Sequence, residues 1–93
     1  MTKLERIVLK GFINGGIRCT GATSVDSMIS DNMTWMDPDD IVNVTNLKEK
    51  QIGGVLRSLR EKGLIENYGE PLPGCQKDVW YATDKGIEVG WLL

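Results

Sequence analysis

Lys50, Gln51 and Arg57 stand within one helical stretch, TNLKEKQIGGVLRSLREKGLI from Thr45 to Ile65. Each carries donors suited to phosphate oxygens or to base edges in a major groove. At about 100° per residue, Ile52, Val55, Leu56 and Leu59 share one face of this helix, and Lys50, Gly54, Arg57 and Glu61 share the opposite one. Gly53 and Ser58 lie on the shoulders of the outer face. Glycine costs about 1 kcal/mol against alanine inside a helix. Two in a row on an outer face therefore point to close backbone approach, by a neighbouring helix or by a phosphate backbone. The same residues also read as a plain solvated face of mixed charge.

Catalytic chemistry has little to draw on. The chain has no His, no Cys beside a base at a nucleophile's spacing, no phosphate-cradling glycine loop after a strand and no carboxylate pair in a recognisable setting. An enzyme is not expected, nor a cofactor. Cys19 and Cys75 are 56 positions apart and lack the close spacing of zinc ligands, so two free thiols in a reducing cytoplasm are expected. Asp37, Asp39 and Asp40 lack the glycine and distal Glu of a calcium loop. With Pro38 they read instead as a helix start, and no metal site is expected.

The elements that would position the donors follow from local signals. Asn46 and Glu49 have the spacing of a capping box and predict the start of the helix, and Lys62-Gly63 before Leu64-Ile65 predicts its end, giving a helix over about 46–62. Ahead of it, Asp37 and Pro38 open a short helix through Ile41, Val42 and Val44 that braces it. After it come a strand over Leu64–Tyr68, a loop punctuated by Pro71, Pro73 and Gly74, and a second strand over Asp78–Ala82. Thr83 then caps a final helix to Trp91.

The N-terminal part is less sharply marked. Thr2 to Asn14 reads as a helix capped by Thr2 and Glu5, stopped by Gly15-Gly16, with Ile17–Thr20 as a short third strand. Leu4, Ile7, Val8, Gly11 and Phe12 form its apolar stripe, while Leu9 and Ile13 lie off it. A helix apolar on two sides is either sandwiched in the core or shared with a second subunit. The expectation is the second, a homodimer seam of Leu9 and Ile13 joined by Trp91 and Leu92; the alternative is that the apolar terminus folds back on this helix. Thr23 or Ser24 caps a further segment with Val25, Met28, Ile29, Asn32 and Met36 on one face.

IGGVLRSLREKGLIEN followed by DVWYATDKG resembles the winged helix-turn-helix domains of small prokaryotic and phage transcription regulators. The likeness rests on the apolar-spaced helix with its Lys-Gly-Leu-Ile exit and on Thr83 with Gly86 three residues on, and it covers roughly residues 37 to 90. The length of 93 residues suits a single domain over residues 1–93, and the resemblance implies that it is α+β, a winged helix-turn-helix. That domain is mainly helical, with a recognition helix at about 46–62 and a two- or three-stranded antiparallel wing at about 64–82.

Charge qualifies this. The 93 residues carry a formal net charge of −2 and a pI near 5.0, which argues against indiscriminate nucleic-acid binding. The charge is segregated: residues 24–44 hold five acids and no base, whereas 1–23 and 45–62 are each +3. The wing offers one base, Lys77, between Glu70 and Asp78. Two functions follow from the sequence. One is a DNA-binding transcriptional regulator, cytoplasmic and dimeric, in which Lys50, Gln51 and Arg57 read the major groove of double-stranded DNA beside Gly54 and Ser58, while Asn46, Lys48 and Lys77 hold phosphates. The other is a winged-helix adaptor, phage-type, that binds a host protein and leaves DNA alone. No apolar run approaches the length of a membrane span.

Overall fold

The N-terminal helix runs past its glycines. In the computed structural model, which describes residues 1–68 and 78–93, α1 spans Lys3–Thr20 and ends at Gly21 in the left-handed conformation. Thr2 and Glu5 form the expected capping box, with Thr2 N–H donating to Glu5 Oε1 at 2.9 Å and Glu5 N–H to Thr2 Oγ1 at 3.2 Å. Gly16 does not stop the helix because it serves a packing role. A β-carbon there would run into the Met28 side chain and stand 3.0 Å from Thr34 Cγ2. The strand expected over Ile17–Thr20 is therefore absent, its residues being the last turn of α1.

Ser24 caps α2, Val25–Ser30, which is shorter than its apolar spacing predicts. Asn32 and Thr34 leave the helix to bond β2, Trp80–Ala82. Asn32 Nδ2 donates to Ala82 O at 2.8 Å, and Ala82 N–H donates to Thr34 Oγ1 at 2.9 Å. Short polar side chains compete with the helix ladder for backbone groups, and here they satisfy both polar groups of one strand residue. Met36 then exchanges two backbone hydrogen bonds of 2.8 Å with Trp80. This one-residue bridge supplies the third pairing that the sequence placed at Ile17–Thr20.

Helix α3, Pro38–Thr45, begins as predicted, with Asp37 as cap, Pro38 in the first turn and Asp40 N–H donating to Asp37 Oδ1 at 2.8 Å. Its end corrects the predicted start of the next helix. Asn46 closes α3 in the left-handed region, at φ 59°, so it cannot cap α4, Glu49–Glu61. That helix opens instead with Gln51 Oε1 accepting from Lys48 N–H at 3.0 Å. Gly63 ends it at φ 74°, and Leu64 N–H reaches back to Leu59 O at 3.0 Å, a Schellman closure.

Strand β1, Ile65–Asn67, pairs antiparallel with β2 in the register Ile65 to Ala82, Glu66 to Tyr81 and Asn67 to Trp80. Thr83 accepts from Gly86 N–H at 3.1 Å to start α5, Asp84–Trp91, and donates to Gly63 O at 2.6 Å. Gly86 lies directly on the Leu64 carbonyl, where a β-carbon has no room. The Thr-Gly spacing thus clamps the last helix to the exit of α4.

The core is organised around α1, with Val8, Leu9, Phe12 and Ile13 all fully buried. Leu9 and Ile13 face Gly90 of α5, which corrects their assignment to a dimer seam. Helix α5 folds back over the second apolar side of α1 and covers it. Trp91 is half-buried against the same core. Of the four residues assigned to the seam, Leu92 stays open at 86% exposure. Among the described residues no helix is long and apolar enough to cross a membrane.

Candidate nucleic-acid interface

The apolar stripe of α4 sets the direction of everything else on it. Ile52, Val55, Leu56 and Leu59 are buried, so Lys50, Gly53, Gly54 and Arg57 are turned outward and exposed. Burying four such side chains fixes the rotation of the helix, because turning it would expose each at a cost of about 1.5–3 kcal/mol. Around Gly53 and Gly54 no atom of another described element lies within 4 Å of where a β-carbon would stand. No neighbouring helix among the described residues therefore explains the pair, and among those residues the space above the two glycines is open.

Five bases of the segment 45–62 divide into two groups. Arg60 pairs with Glu66 at 3.0 Å, and Lys62 pairs with Glu5. Lys48, Lys50 and Arg57 form no ion pair among the described residues. They stand on the first turns and outer face of α4, with exposed Asn46 in the turn that leads into it. Asn46, Lys48, Lys50, Gln51, Gly54 and Arg57 are thus brought onto one exposed surface. Gln51 lends its carbonyl oxygen to the helix start and keeps its amide NH₂ for an outside acceptor.

Ser58 is placed differently. It is half-buried, and its hydroxyl donates to Glu5 Oε2 at 2.9 Å, so it points to α1 and not outward with Arg57. Lys77 lies outside the described residues.

Glu5 is the residue that sequence reasoning saw only as a helix cap. Its carboxylate is 2% exposed and receives Lys62 Nζ, Thr2 N–H and the Ser58 hydroxyl. The Lys62 ammonium foremost, with the Thr2 and Ser58 donors, holds its pKa at about 2 in place of 4.5, against an opposing push from burial. Ser58 and Lys62 are one helical turn apart, on the same side of α4. That i, i+4 spacing was a readable signal, but nothing local links it to a residue more than fifty positions earlier.

A second surface was not anticipated. Trp35 and Tyr68 are 42% and 47% exposed, with ring centroids 5.3 Å apart and planes tilted by 45°. Trp35 directly precedes the Met36 bridge, and Tyr68 directly follows β1. Among the described residues no cluster of His, Cys, Asp or Glu has the arrangement of a metal site.

The chain is similar in structure to Bordetella bronchiseptica BpsR, a protein described for the mechanism by which 6-hydroxynicotinic acid regulates its DNA binding. The TM-score is 0.56 at 17% sequence identity, over 90% of this chain and 61% of that one. The fold is a winged helix. Helices α3 and α4 form its helix-turn-helix, and β1 and β2 form the stalk of its wing. This chain spans about 61% of the length of the BpsR chain, and at this identity the likeness carries the fold alone. No protein-family model and no curated protein matches the sequence.

Proposed function

We propose that this winged helix binds double-stranded DNA as a sequence-specific transcriptional regulator, with α4 lying in the major groove. The observation that carries the reading is the outward face of α4. Lys50 and Arg57, which form no ion pair among the described residues, flank a Gly-Gly surface above which those residues leave open space, and this lets a sugar-phosphate edge approach the helix closely. Lys50, Gln51 and Arg57 are assigned to base edges, and Asn46 and Lys48 to phosphates. Such a helix in a helix-turn-helix protein enters the groove by its N-terminal residues, where Lys48, Lys50 and Gln51 are. That BpsR is a DNA-binding protein supports the same reading.

As a homodimer the protein would set two such helices one turn of DNA apart, about 34–36 Å. Its seam is assigned to exposed Leu92 and the rim of Trp91, since α5 has taken Leu9 and Ile13 into the core. A regulator of this prokaryotic type would act in the cytoplasm.

The acidic run of residues 24–44 and the exposed Trp35–Tyr68 pair favour a second reading, an adaptor that docks a host protein. Fluorescence anisotropy of a labelled random-sequence duplex at low and moderate salt separates the two. Binding that weakens steeply with salt and is abolished in the Lys50→Glu/Arg57→Glu variant supports DNA reading by α4. No binding at low salt overturns it in favour of the adaptor.

A further inference from the structure

Arg6, Lys10 and Asn14 succeed one another at single helical turns along α1, on the flank that faces α3. Two cations at i and i+4 repel each other on an isolated helix, and neither Arg6 nor Lys10 forms an ion pair among the described residues. The Asn14 amide makes no side-chain hydrogen bond among them either. These three donors line a hollow of about 450 Å³ whose other walls are apolar, formed by Ile7, Val44 and Leu93. Its floor is Gly11, where α3 approaches so closely that a β-carbon would stand 3.3 Å from Val44 Cγ2. Among the described residues no acidic side chain lines it.

We infer that this hollow is a binding site for a small organic anion with an apolar body, a monocarboxylate held by Arg6 and Lys10 with its hydrocarbon part against Ile7, Val44 and Leu93. The volume lies within the roughly 300–1,000 Å³ usual for small-molecule sites, which pair apolar walls with a few convergent polar groups. Charge selects the ligand, because Arg6 and Lys10 line the hollow, with five and three donors to offer, and no Asp or Glu among the described residues lines it. A guanidinium engages a carboxylate through two parallel hydrogen bonds, and Asn14 adds a neutral donor one turn further on. The apolar walls exclude inorganic anions as the preferred occupant, since water must leave Ile7 and Val44 for binding to be favourable. No residue of α4 lines the hollow, so the inference stands whether or not α4 reads DNA.

The test is a titration of the isotope-labelled protein with octanoate and with benzoate, followed by amide and methyl chemical shifts. Each acid is compared with its neutral amide, octanamide or benzamide. Saturable shifts at Ile7, Gly11 and Val44 below about 1 mM acid are expected, with the amides weaker by at least about tenfold. Arg6→Gln/Lys10→Gln, at surface positions, is expected to keep the wild-type spectrum and lose the response to the acids. Equal binding of acid and amide by the wild-type protein overturns the inference, as do shifts confined to other residues or no saturation by either acid.

Discussion

The Ser58 hydroxyl lies 2.9 Å from the buried Glu5 carboxylate, and Lys62 binds the same oxygen one turn later. Through these contacts the C-terminal half of α4 is tied to the first turn of α1, while Lys50 and Arg57 on its outer side form no ion pair among the described residues. One helix therefore spends part of its polar equipment on fixing itself and keeps the rest for an outside partner.

This tie makes stability depend on acid pH. The folded pKa of Glu5 is about 2 against an ordinary 4.5, so between these values the unfolded chain binds the extra proton. The stabilisation is complete above about pH 4.5 and is lost as pH falls towards 2. Urea unfolding across pH 2 to 7 is expected to show this loss. In Glu5→Gln the slope is expected to flatten, and stability at neutral pH is expected to drop by about 1–3 kcal/mol, as for hydrogen bonds to a charged group.

Gly86 rests on the Leu64 carbonyl with no room for a side chain. Gly86→Ala is expected to destabilise the fold by at least about 1–3 kcal/mol, because the obstruction is backbone and cannot swing aside. Thr83→Ala, which removes a cap and the bond to Gly63 O, is expected to cost about 0.5–2 kcal/mol. Thermal unfolding of the two variants checks the order.

The exposed glycines of α4 predict the opposite sign. With open space at Gly53 and Gly54, alanine at either position is expected to raise stability by up to about 1 kcal/mol, or roughly 4–8 °C in a domain of this size. On duplex DNA the same added methyl groups are expected to weaken binding, because they hold the phosphate edge away. A gain in melting temperature with unchanged DNA affinity would remove the close-approach account of the pair.

Most of the fold was legible where a local signal and a periodicity agreed. Asp37-Pro38, the α4 stripe, the Gly63 exit and the Thr83 cap each have a physical reason contained within a few residues. The misreadings share a different cause. Gly16 reads locally as a stop because its role depends on Met28 and Thr34, which approach it only in three dimensions. Leu9 and Ile13 suit a partner equally well because a helix apolar on two sides does not say whether α5 or a second chain covers the second side. Asn46 reads forward into α4 although its left-handed backbone closes α3, and either role suits asparagine. In the candidate site the exposed donors were readable from the wheel. The inward turn of Ser58 was not, since its partner lies 53 positions away.

Thr34 is 1% exposed and accepts the Ala82 N–H while donating to Asn32 Oδ1 at 2.6 Å. In Thr34→Val the shape is kept but a buried backbone N–H loses its acceptor, at an expected cost of about 1–3 kcal/mol. Hydrogen exchange of the Ala82 amide is the sensitive readout. Faster exchange there, with α4 amides unchanged, localises the effect to the contact between β2 and the segment that follows α2.

The division of labour on α4 can be tested residue by residue once a preferred duplex has been selected. Arg57 is exposed, forms no ion pair among the described residues and stands two turns into the helix, so its planar donors can address one base edge. Arg57→Ala is expected to cost about 1–3 kcal/mol on the preferred duplex and to relax preference at a single base pair. Lys48, at the helix start, is placed for a phosphate. Lys48→Ala is expected to weaken all duplexes alike and to reduce the dependence of log affinity on log salt by about 1. Anisotropy against the selected and a scrambled duplex at several salt concentrations reads both effects. If Arg57→Ala instead weakened both duplexes equally and lowered the salt slope, Arg57 would be a phosphate contact, and base reading would pass to Lys50 and Gln51 in the first turn of α4.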